Sequence, residues 1–350
     1  MMSAVGSTAA SPPAGGVDGL EAIMRRGGEG LRRCMERTER HLERVTARAG
    51  TPLAPYAWAA IGGGGKRLRP LLVVLAAESA GGPPDTHEGE ERLVRAAVSV
   101  ELVHSATLVH DDLIDGAQLR RGRPTVAVEG GRPMAVATGD LLFSRAFAEL
   151  ARNDDAEQLR ALSQASSALA EGELLQREDL YAAHVPVERY LMRCELKTAA
   201  LFEAACRLGA LTARAGSSAL ADALGVFARR IGLAFQMLDD VLDVSGPVER
   251  TGKSRGTDLL DGTVTLPFIL ARARDPGLAT FDLASLCGAD GPQRAHALCE
   301  RIAATGALDE ARERALAVVA EAKSALPAIL PDGRSALLDM VADAVVERYR

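Results

Sequence analysis

Residues 101–125, ELVHSATLVHDDLIDGAQLRRGRPT, run from an apolar helical segment into three aspartates and then into a cluster of arginines. Asp111 and Asp115 are four residues apart, so on a helix they project from the same face, and Asp112 lies beside them. The helix dipole disfavours negative charge at a helix C-terminus, so these carboxylates need a cation. Because oxygen ligands without His or Cys suit a hard cation, the stretch predicts a Mg²⁺ site at the end of an apolar helix.

Arg120, Arg121 and Arg123 follow the aspartates and add forked hydrogen-bond donors that match phosphate. Mg²⁺ usually reaches a protein through one or two carboxylates together with substrate phosphates. The acids and arginines therefore predict a shared site for Mg²⁺ and a phosphate group. The alternative is an acid-rich helix end that is solvated, as charged residues usually are.

The overall composition excludes several classes of protein. The chain has 350 residues, 25% of them charged, and its formal net charge of -6 provides no basic field for nucleic acid. Its five cysteines are scattered without a C-x-x-C pair, so we expect reduced, buried thiols and neither a zinc site nor a disulfide framework. The chain opens without the pattern of a signal peptide, and no run of roughly 18 apolar residues is present. We expect a cytoplasmic protein with at most peripheral membrane contact.

Ala, Leu, Glu and Arg dominate from about residue 18, aromatic residues make up only 3%, and period-two alternation is nearly absent. This pattern predicts an all-α fold. The Gly- and Pro-rich breaks are too short to link domains, so we expect one domain over 18–350 after a disordered tail at 1–17. The predicted helices cover 18–48, 54–61, 67–80, 88–115, 133–152, 155–182, 187–211, 218–245, 264–274, 292–304, 308–325 and 334–348.

Four glycines, Gly62–Gly65, precede Lys66, Arg67 and Arg69. Consecutive glycines let the backbone approach a ligand, and basic residues at a helix start favour an anion, so the run predicts a phosphate cradle. It lacks the Walker spacing, which disfavours a nucleotide triphosphatase. The alternative is a flexible surface loop with solvated charges.

His104 and His110 lie within two turns of Asp111 on the same predicted helix. A single helical His is usually structural, so their position alone assigns no role. Lys197 occurs among apolar residues, where it either needs an anionic partner or extends its charge into water.

The motif Asp-Asp-x-x-Asp occurs a second time, as Asp239, Asp240 and Asp243 at the end of another apolar helix. Basic residues follow again, here Lys253 and Arg255. Two such motifs are hard to explain as solvated surface. Facing each other across a helical bundle, they could hold several Mg²⁺ ions around one diphosphate.

Together these motifs resemble the trans-isoprenyl diphosphate synthases, the polyprenyl synthetase family. The resemblance covers roughly residues 60–270, and its motifs appear in the family's order. The matching stretches are Gly64–Pro70, Asp111–Asp115 with Arg120–Arg123, Gly139–Asp140, Lys197–Thr198, Phe235–Gln236 with Asp239–Asp243, and Gly252–Asp258.

The resemblance implies a helical bundle around a deep central cavity, usually in a homodimer. It also implies Mg²⁺-dependent, head-to-tail condensation of isopentenyl diphosphate with an allylic diphosphate. Ionisation of the allylic substrate creates a carbocation, which the double bond of isopentenyl diphosphate attacks before a proton is lost.

The resemblance also implies a role for each matching residue. Asp111, Asp115 and Asp239 would bind Mg²⁺, with Asp112, Asp240 and Asp243 supporting them. Arg120, Lys197 and Lys253 would hold the allylic diphosphate. Lys66, Arg69, His104 and Arg121 would hold isopentenyl diphosphate, and Thr198 and Gln236 would face the reacting carbons.

One position departs from the family pattern. Thr263, in Gly262–Pro267, stands where a diphosphate-binding lysine is common, so the site has one charge fewer. We expect a lysine at this position to strengthen allylic binding.

The length of the product should depend on the helix that precedes Asp111. Thr107 and Ala106 lie about one turn before it and are small, so we expect products longer than farnesyl, and Phe143 or Phe147 could form the floor of the tunnel. The extent of the resemblance favours the long-chain polyprenyl synthases over the geranylgeranyl synthases. The alternatives are a geranylgeranyl or farnesyl synthase, a class I terpene cyclase, and a non-catalytic subunit of another synthase. The intact second acidic motif disfavours the last two.

Overall fold

The computed structural model describes residues 17–47, 52–62, 65–182, 184–246, 255–330 and 333–347. The expected tail before residue 17 and the predicted phosphate ligand Lys253 lie outside these ranges. The helices are α1 (Val17–Arg26), α2 (Gly28–Ala47), α3 (Ala54–Gly62), α4 (Leu68–Ser79), α5 (His87–Ile114), α6 (Val126–Ala151), α7 (Ala156–Asp179), α8 (Val187–Cys194), α9 (Ala200–Thr212), α10 (Ser218–Ser245), α11 (Thr257–Leu260), α12 (Leu266–Arg274), α13 (Pro276–Ala279), α14 (Gly291–Ala304), α15 (Ala307–Ile329) and α16 (Ala336–Glu347).

Helix α4 forms the centre of the bundle. Its run from Pro70 to Ala77 is buried without interruption, as expected for a helix that is apolar on all sides. It packs against α5 and α9, while α10 packs against α9 and α15. The prediction of a single all-α domain is confirmed.

Side-chain caps set where the long helices start. The side chain of Thr86 accepts a hydrogen bond from the amide of Gly89 at α5, and Ser217 caps α10 in the same way through Leu220. Such caps satisfy amides that have no partner inside the helix. Helix α5 ends at Ile114 with Asp115 as its C-cap, so both long helices carry their acidic motif in the last turns.

Three of the predicted helices are corrected by the structure. The helix expected over 18–48 divides at Gly28, whose φ of 72° is left-handed, and the helix expected from 133 begins at Val126 and kinks at Gly131. The helix expected over 187–211 contains a π-helical turn at Glu195–Ala199, between α8 and α9. Such turns concentrate at functional sites, and this one carries Lys197.

A short hairpin that the sequence analysis did not predict follows the first acidic motif. Its strands are β1 (Leu119–Arg120) and β2 (Arg123–Pro124), paired antiparallel. Arg121 and Gly122 form the turn with φ values of 53° and 75°. Positive φ at both positions is typical of a tight hairpin turn, and here it turns two arginines back toward α5.

The cysteines are free, but Cys287 is exposed, so the expectation that all of them are buried is wrong. None of the described helices is long and apolar enough to span a membrane.

Candidate active site

The three aspartates of the first motif point to different partners. Asp111 lines a cavity of about 340 Å³, whose lining surface is mostly apolar although half of its other lining residues are polar or charged. Asp112 is 5% exposed and accepts hydrogen bonds from Nε of Arg120 at 2.8 Å on both carboxylate oxygens. Asp115 pairs with Arg177 of α7. The predicted cluster of acids and arginines is therefore divided between two sides of α5.

An ion-pair network joins α7 to the π-helical turn. Lys197 donates to Glu173, and Nε of Arg177 donates to the other oxygen of Glu173 at 3.0 Å. Burial raises the pKa of the Glu173 carboxyl, but Lys197 and Arg177 outweigh burial and hold this pKa below its usual value. Of the two alternatives for Lys197, an anionic partner or a charge extended into water, the structure therefore shows the anionic partner.

Arg177 was not among the predicted site residues. The only signal for it in the sequence is its i,i+4 spacing from Glu173, which predicts a pair on one helix face but no cavity.

A chain of hydrogen bonds connects the π-helical turn to the second acidic motif. Thr198 Oγ1 donates to Oε1 of Gln236 at 2.8 Å, and Nε2 of Gln236 donates to Asp240 at 2.8 Å. Tyr190, which the sequence analysis missed, donates its hydroxyl to the other oxygen of Asp240 at 2.7 Å. Burial, followed by the charge of Asp258, raises the pKa of Asp240.

The other two acids of the second motif lie on the same helix. Asp243 accepts hydrogen bonds from the backbone amides of Thr257 and Asp258, both at 3.2 Å, and so anchors the start of α11. Asp239 is half-buried, one turn before Asp243.

Two cavities meet beside Lys197. The second cavity, of about 390 Å³, is lined by polar groups that include Asp115, Thr198, Gln236 and Asp240. Lys197 and Ile114 line both this polar cavity and the apolar one. The structure thus brings one acid from each motif to a single cavity, with an apolar space next to it.

The predicted isopentenyl diphosphate residues are partly brought together. Arg69 Nη1 donates to Nε2 of His104 at 3.1 Å, and its guanidinium carbon lies 5.2 Å from the ring centre of Phe202. The Nε of Arg69 is buried without a hydrogen-bond partner. Burial and the charge of Arg69 lower the pKa of His104 well below its usual value, so His104 is a neutral acceptor at pH 7.

Lys66 and Arg121 line two different cavities near Arg69. Arg121 packs on Gly65, where an added Cβ would come within 2.9 Å of its Nη1. Together with Arg120 and Arg123 it lines a cavity of about 150 Å³. Lys66 lines a separate small cavity with Phe235 and residues of α16.

The donor set at the end of α5 fits a hard cation. Within the ranges that the structure describes, no three His, Cys, Asp or Glu side chains gather into a metal site. Burial raises the pKa of Asp111 to about 6, although the charge of Lys197 opposes this effect. A metal near Asp111 would favour the ionised form, and Asp115 and Glu173 offer further carboxylate oxygens close to it.

Comparison with known proteins places the chain in a family. The family model described as Polyprenyl synthetase matches residues 52–295, and the chain belongs to this family. It is a trans-prenyl diphosphate synthase, an enzyme of the prenyltransferase class.

Named relatives extend over most of the chain. It is 41% identical over 233 residues to the heptaprenyl diphosphate synthase component 2 of Geobacillus stearothermophilus, covering 67% of this chain and 71% of the relative. It is 36% identical over 290 residues to the geranylgeranyl diphosphate synthase of Methanosarcina mazei, covering 81% and 86%.

A solved structure of a polyprenyl synthase from Caulobacter crescentus, complexed with calcium and isoprenyl diphosphate, has a similar fold. The TM-score is 0.79 at 34% identity, covering 97% of this chain and 100% of that one.

Proposed function

We propose that this enzyme uses Mg²⁺ to condense isopentenyl diphosphate head-to-tail with an allylic diphosphate, making products longer than farnesyl. The observation that carries the proposal is the position of Lys197 between a polar cavity and an apolar one. A diphosphate in the polar cavity would leave the hydrocarbon of the same molecule free to enter the apolar cavity. Of the two relatives described above, one is named for a heptaprenyl product, which supports the proposal, and the other for geranylgeranyl diphosphate, the product of one alternative.

The chain's own residues would act on the diphosphate and on the carbocation. Asp111, Asp115 and Asp239 would hold Mg²⁺, whose charge would stabilise the departing diphosphate. Lys197 would bind the same diphosphate by exchanging its contact with Glu173. The Thr198–Gln236 pair would present oxygen atoms to the cation, and the apolar walls would exclude the water that would otherwise quench it.

The second substrate would bind on the basic side. Arg69 and His104 already contact each other, and the unpartnered Nε of Arg69 has a donor to offer to a phosphate oxygen. Arg121, on its hairpin beside Gly65, would extend this set. Lys66 lines a separate small cavity and would join the set by turning its side chain toward the substrate. Arg120 and Lys253 would bind on the allylic side.

The proposal is tested by incubating the purified full-length protein with labelled isopentenyl diphosphate, geranyl diphosphate and Mg²⁺. We expect elongated prenyl diphosphates, loss of product with EDTA, and recovery with added Mg²⁺. Release of a hydrocarbon from the allylic substrate alone would indicate a terpene cyclase instead. A chain that makes no product without a second protein would indicate one component of a two-component synthase, and a non-catalytic one if Asp111→Ala left the activity of the pair unchanged.

The wall of the apolar cavity differs from the expectation in one residue. Thr107 and Phe143 line the cavity, which supports their proposed roles as its wall and floor. Ala106 does not line it, because its side chain points into the core and is fully buried. A phenylalanine at Ala106 would overpack the core, so the residue that would limit product length is Thr107.

We expect Thr107→Phe to shorten the product by at least one isoprene unit, because the ring would fill the cavity next to Phe143. Mass spectrometry of the dephosphorylated products measures the change. Thr107→Val is the matched control, since it keeps the size of the side chain and removes only the hydroxyl, which bonds to the carbonyl of His104 at 2.8 Å. An unchanged product from Thr107→Phe would show that the chain grows elsewhere.

We further propose that the chain forms a homodimer through α6. Val128 and Val136 of α6 are 48% and 41% exposed, and Trp58 of the adjoining α3 is 42% exposed. Apolar residues grouped on one side of a bundle favour burial against another protein. Mass photometry of the purified chain should give the dimer mass. A monomer that dimerises only with a second protein would instead match a relative that is named as one component.

A further inference from the structure

Thr263 lies on a turn that is fastened to the end of α7. The backbone amide of Tyr181 donates to the carbonyl of Gly262 at 2.8 Å. Gly262 has a φ of 76°, and a Cβ at this residue would come within 2.5 Å of the Tyr181 ring. Thr263, the next residue, lines the polar cavity and brings no charge to it. The segment after α7 is therefore held beside position 263, where the family commonly has a lysine.

Arg177 reaches the same cavity from the last turns of α7. Among the described residues that line this cavity, the basic ones are Arg177, Arg193 and Lys197. Arg193 is already committed, because it is 4% exposed and donates to Asp179 at 3.2 Å and to the carbonyl of Val264 at 2.6 Å. Arg177 and Lys197 remain partly exposed, with side-chain accessibilities of 29% and 24%.

The acids that Arg177 contacts belong to the site itself. Its Nε donates to Glu173, which also binds Lys197, and its Nη2 contacts Asp115. If Asp115 turns to a metal ion, the Nη groups of Arg177 lose their partner while Nε stays held by Glu173. A guanidinium held at one nitrogen and free at the others is oriented to bind phosphate oxygens with its fork.

We propose that Arg177 is a diphosphate-binding residue that supplies, from α7, the positive charge that Thr263 does not supply from the neighbouring turn. The assignment rests on the proposed function, since it concerns the diphosphate of the allylic substrate. It deepens that function by naming a cation that the resemblance does not assign.

Arg177→Gln is the first test, with inorganic pyrophosphate and Mg²⁺ as the probe in isothermal titration calorimetry. Because charge-assisted contacts are among the stronger hydrogen bonds, we expect pyrophosphate to bind roughly tenfold to a hundredfold more weakly. In turnover, the KM for geranyl diphosphate should rise while the KM for isopentenyl diphosphate stays the same. Arg312→Gln is the matched control, because Arg312 is an exposed arginine on α15 that pairs with Asp309.

The second test restores the charge at position 263. In the Arg177→Gln background, Thr263→Lys should recover most of the lost pyrophosphate affinity. In the wild-type background the same substitution should strengthen binding less, because Arg177 already supplies the charge. A gain that depends in this way on the other residue is the coupling that a double-mutant cycle measures.

Arg177→Lys keeps the positive charge and removes the fork, so its affinity for pyrophosphate should fall between those of the wild type and Arg177→Gln. Circular dichroism and Tm identify any variant that fails to fold. If Arg177→Gln fails to fold, the pyrophosphate affinity of Arg177→Lys decides whether Arg177 binds the diphosphate.

Unchanged or tighter pyrophosphate binding by folded Arg177→Gln would overturn the proposal, because Arg177 would then serve only as the counter-ion of Asp115. The binding test requires no turnover. A wild-type protein that bound pyrophosphate through Arg177 but condensed nothing would overturn the proposed function and support the assignment of Arg177.

Discussion

Replacing Asp111 or Asp239 with alanine is expected to lower kcat roughly thousandfold or more while leaving the helical fold intact. A bound metal ion contributes several kcal/mol of charge stabilisation at a departing anion, and each ~1.4 kcal/mol changes the rate about tenfold. Steady-state assays with saturating Mg²⁺ and both substrates measure the loss. For Asp111 the fold should not suffer, since burial already raises the pKa of this carboxyl to about 6 and opposes its charged form.

The stability of the variants separates a metal ligand from a structural acid. We expect the Tm of Asp111→Ala in the absence of metal to equal or exceed that of the wild type, because burial raises the pKa of the removed carboxyl more than Lys197 and Arg120 lower it. Asp222→Ala is the control on α10, since Asp222 lies on the same helix as Asp239 and pairs with Arg207 outside the site. Wild-type kcat in either Asp111→Ala or Asp239→Ala would refute the metal assignment.

Local patterns in the sequence were sufficient to predict the fold class and to place the acidic motifs near helix ends. The long helices could be predicted because apolar periodicity and capping residues such as Thr86 and Ser217 act over a few residues. The two aspartate motifs lie near helix ends for the same local reason. Which cavity each aspartate faces depends on packing between helices, and for this reason the separation of Asp112 from Asp111 and Asp115 was not predicted.

The features that the sequence analysis missed depend on contacts between distant residues. Tyr190 meets Asp240 fifty positions further along the chain, and no periodicity relates the two. In the sequence, Arg177 is only one member of an ordinary i,i+4 pair with Glu173. The structure shows in addition that the turn at Gly262 packs against the segment after its helix. The π-helical turn at Glu195–Ala199 interrupts a run of good helix formers, so propensity predicted one continuous helix there.

Gly172→Ala is expected to lower kcat/KM on the order of a hundredfold, because Gly172 is where α7 presses against the π-helical turn. A Cβ at this position would lie 2.6 Å from the backbone nitrogen of Lys197 and 3.0 Å from the carbonyl carbon of Leu196. Backbone atoms cannot rotate away, so the turn that carries Lys197 and Thr198 must shift. Overpacking of this kind costs about 1–3 kcal/mol of stability, and a displacement of about 1 Å at reacting groups can cost ~10²-fold in rate.

Kinetics and thermal unfolding together test this contact. Gly30→Ala is the matched control, because Gly30 lies in α2 with open space around the position of its missing Cβ, so the change should be neutral or stabilising by up to ~1 kcal/mol. For Gly172→Ala we expect a lower Tm. We also expect kcat/KM to fall by more than the fraction of protein that is unfolded at the assay temperature would explain. If the folded variant kept wild-type kcat/KM, the position of Lys197 and Thr198 would not depend on the close approach of α7, and the π-helical turn would hold them by itself.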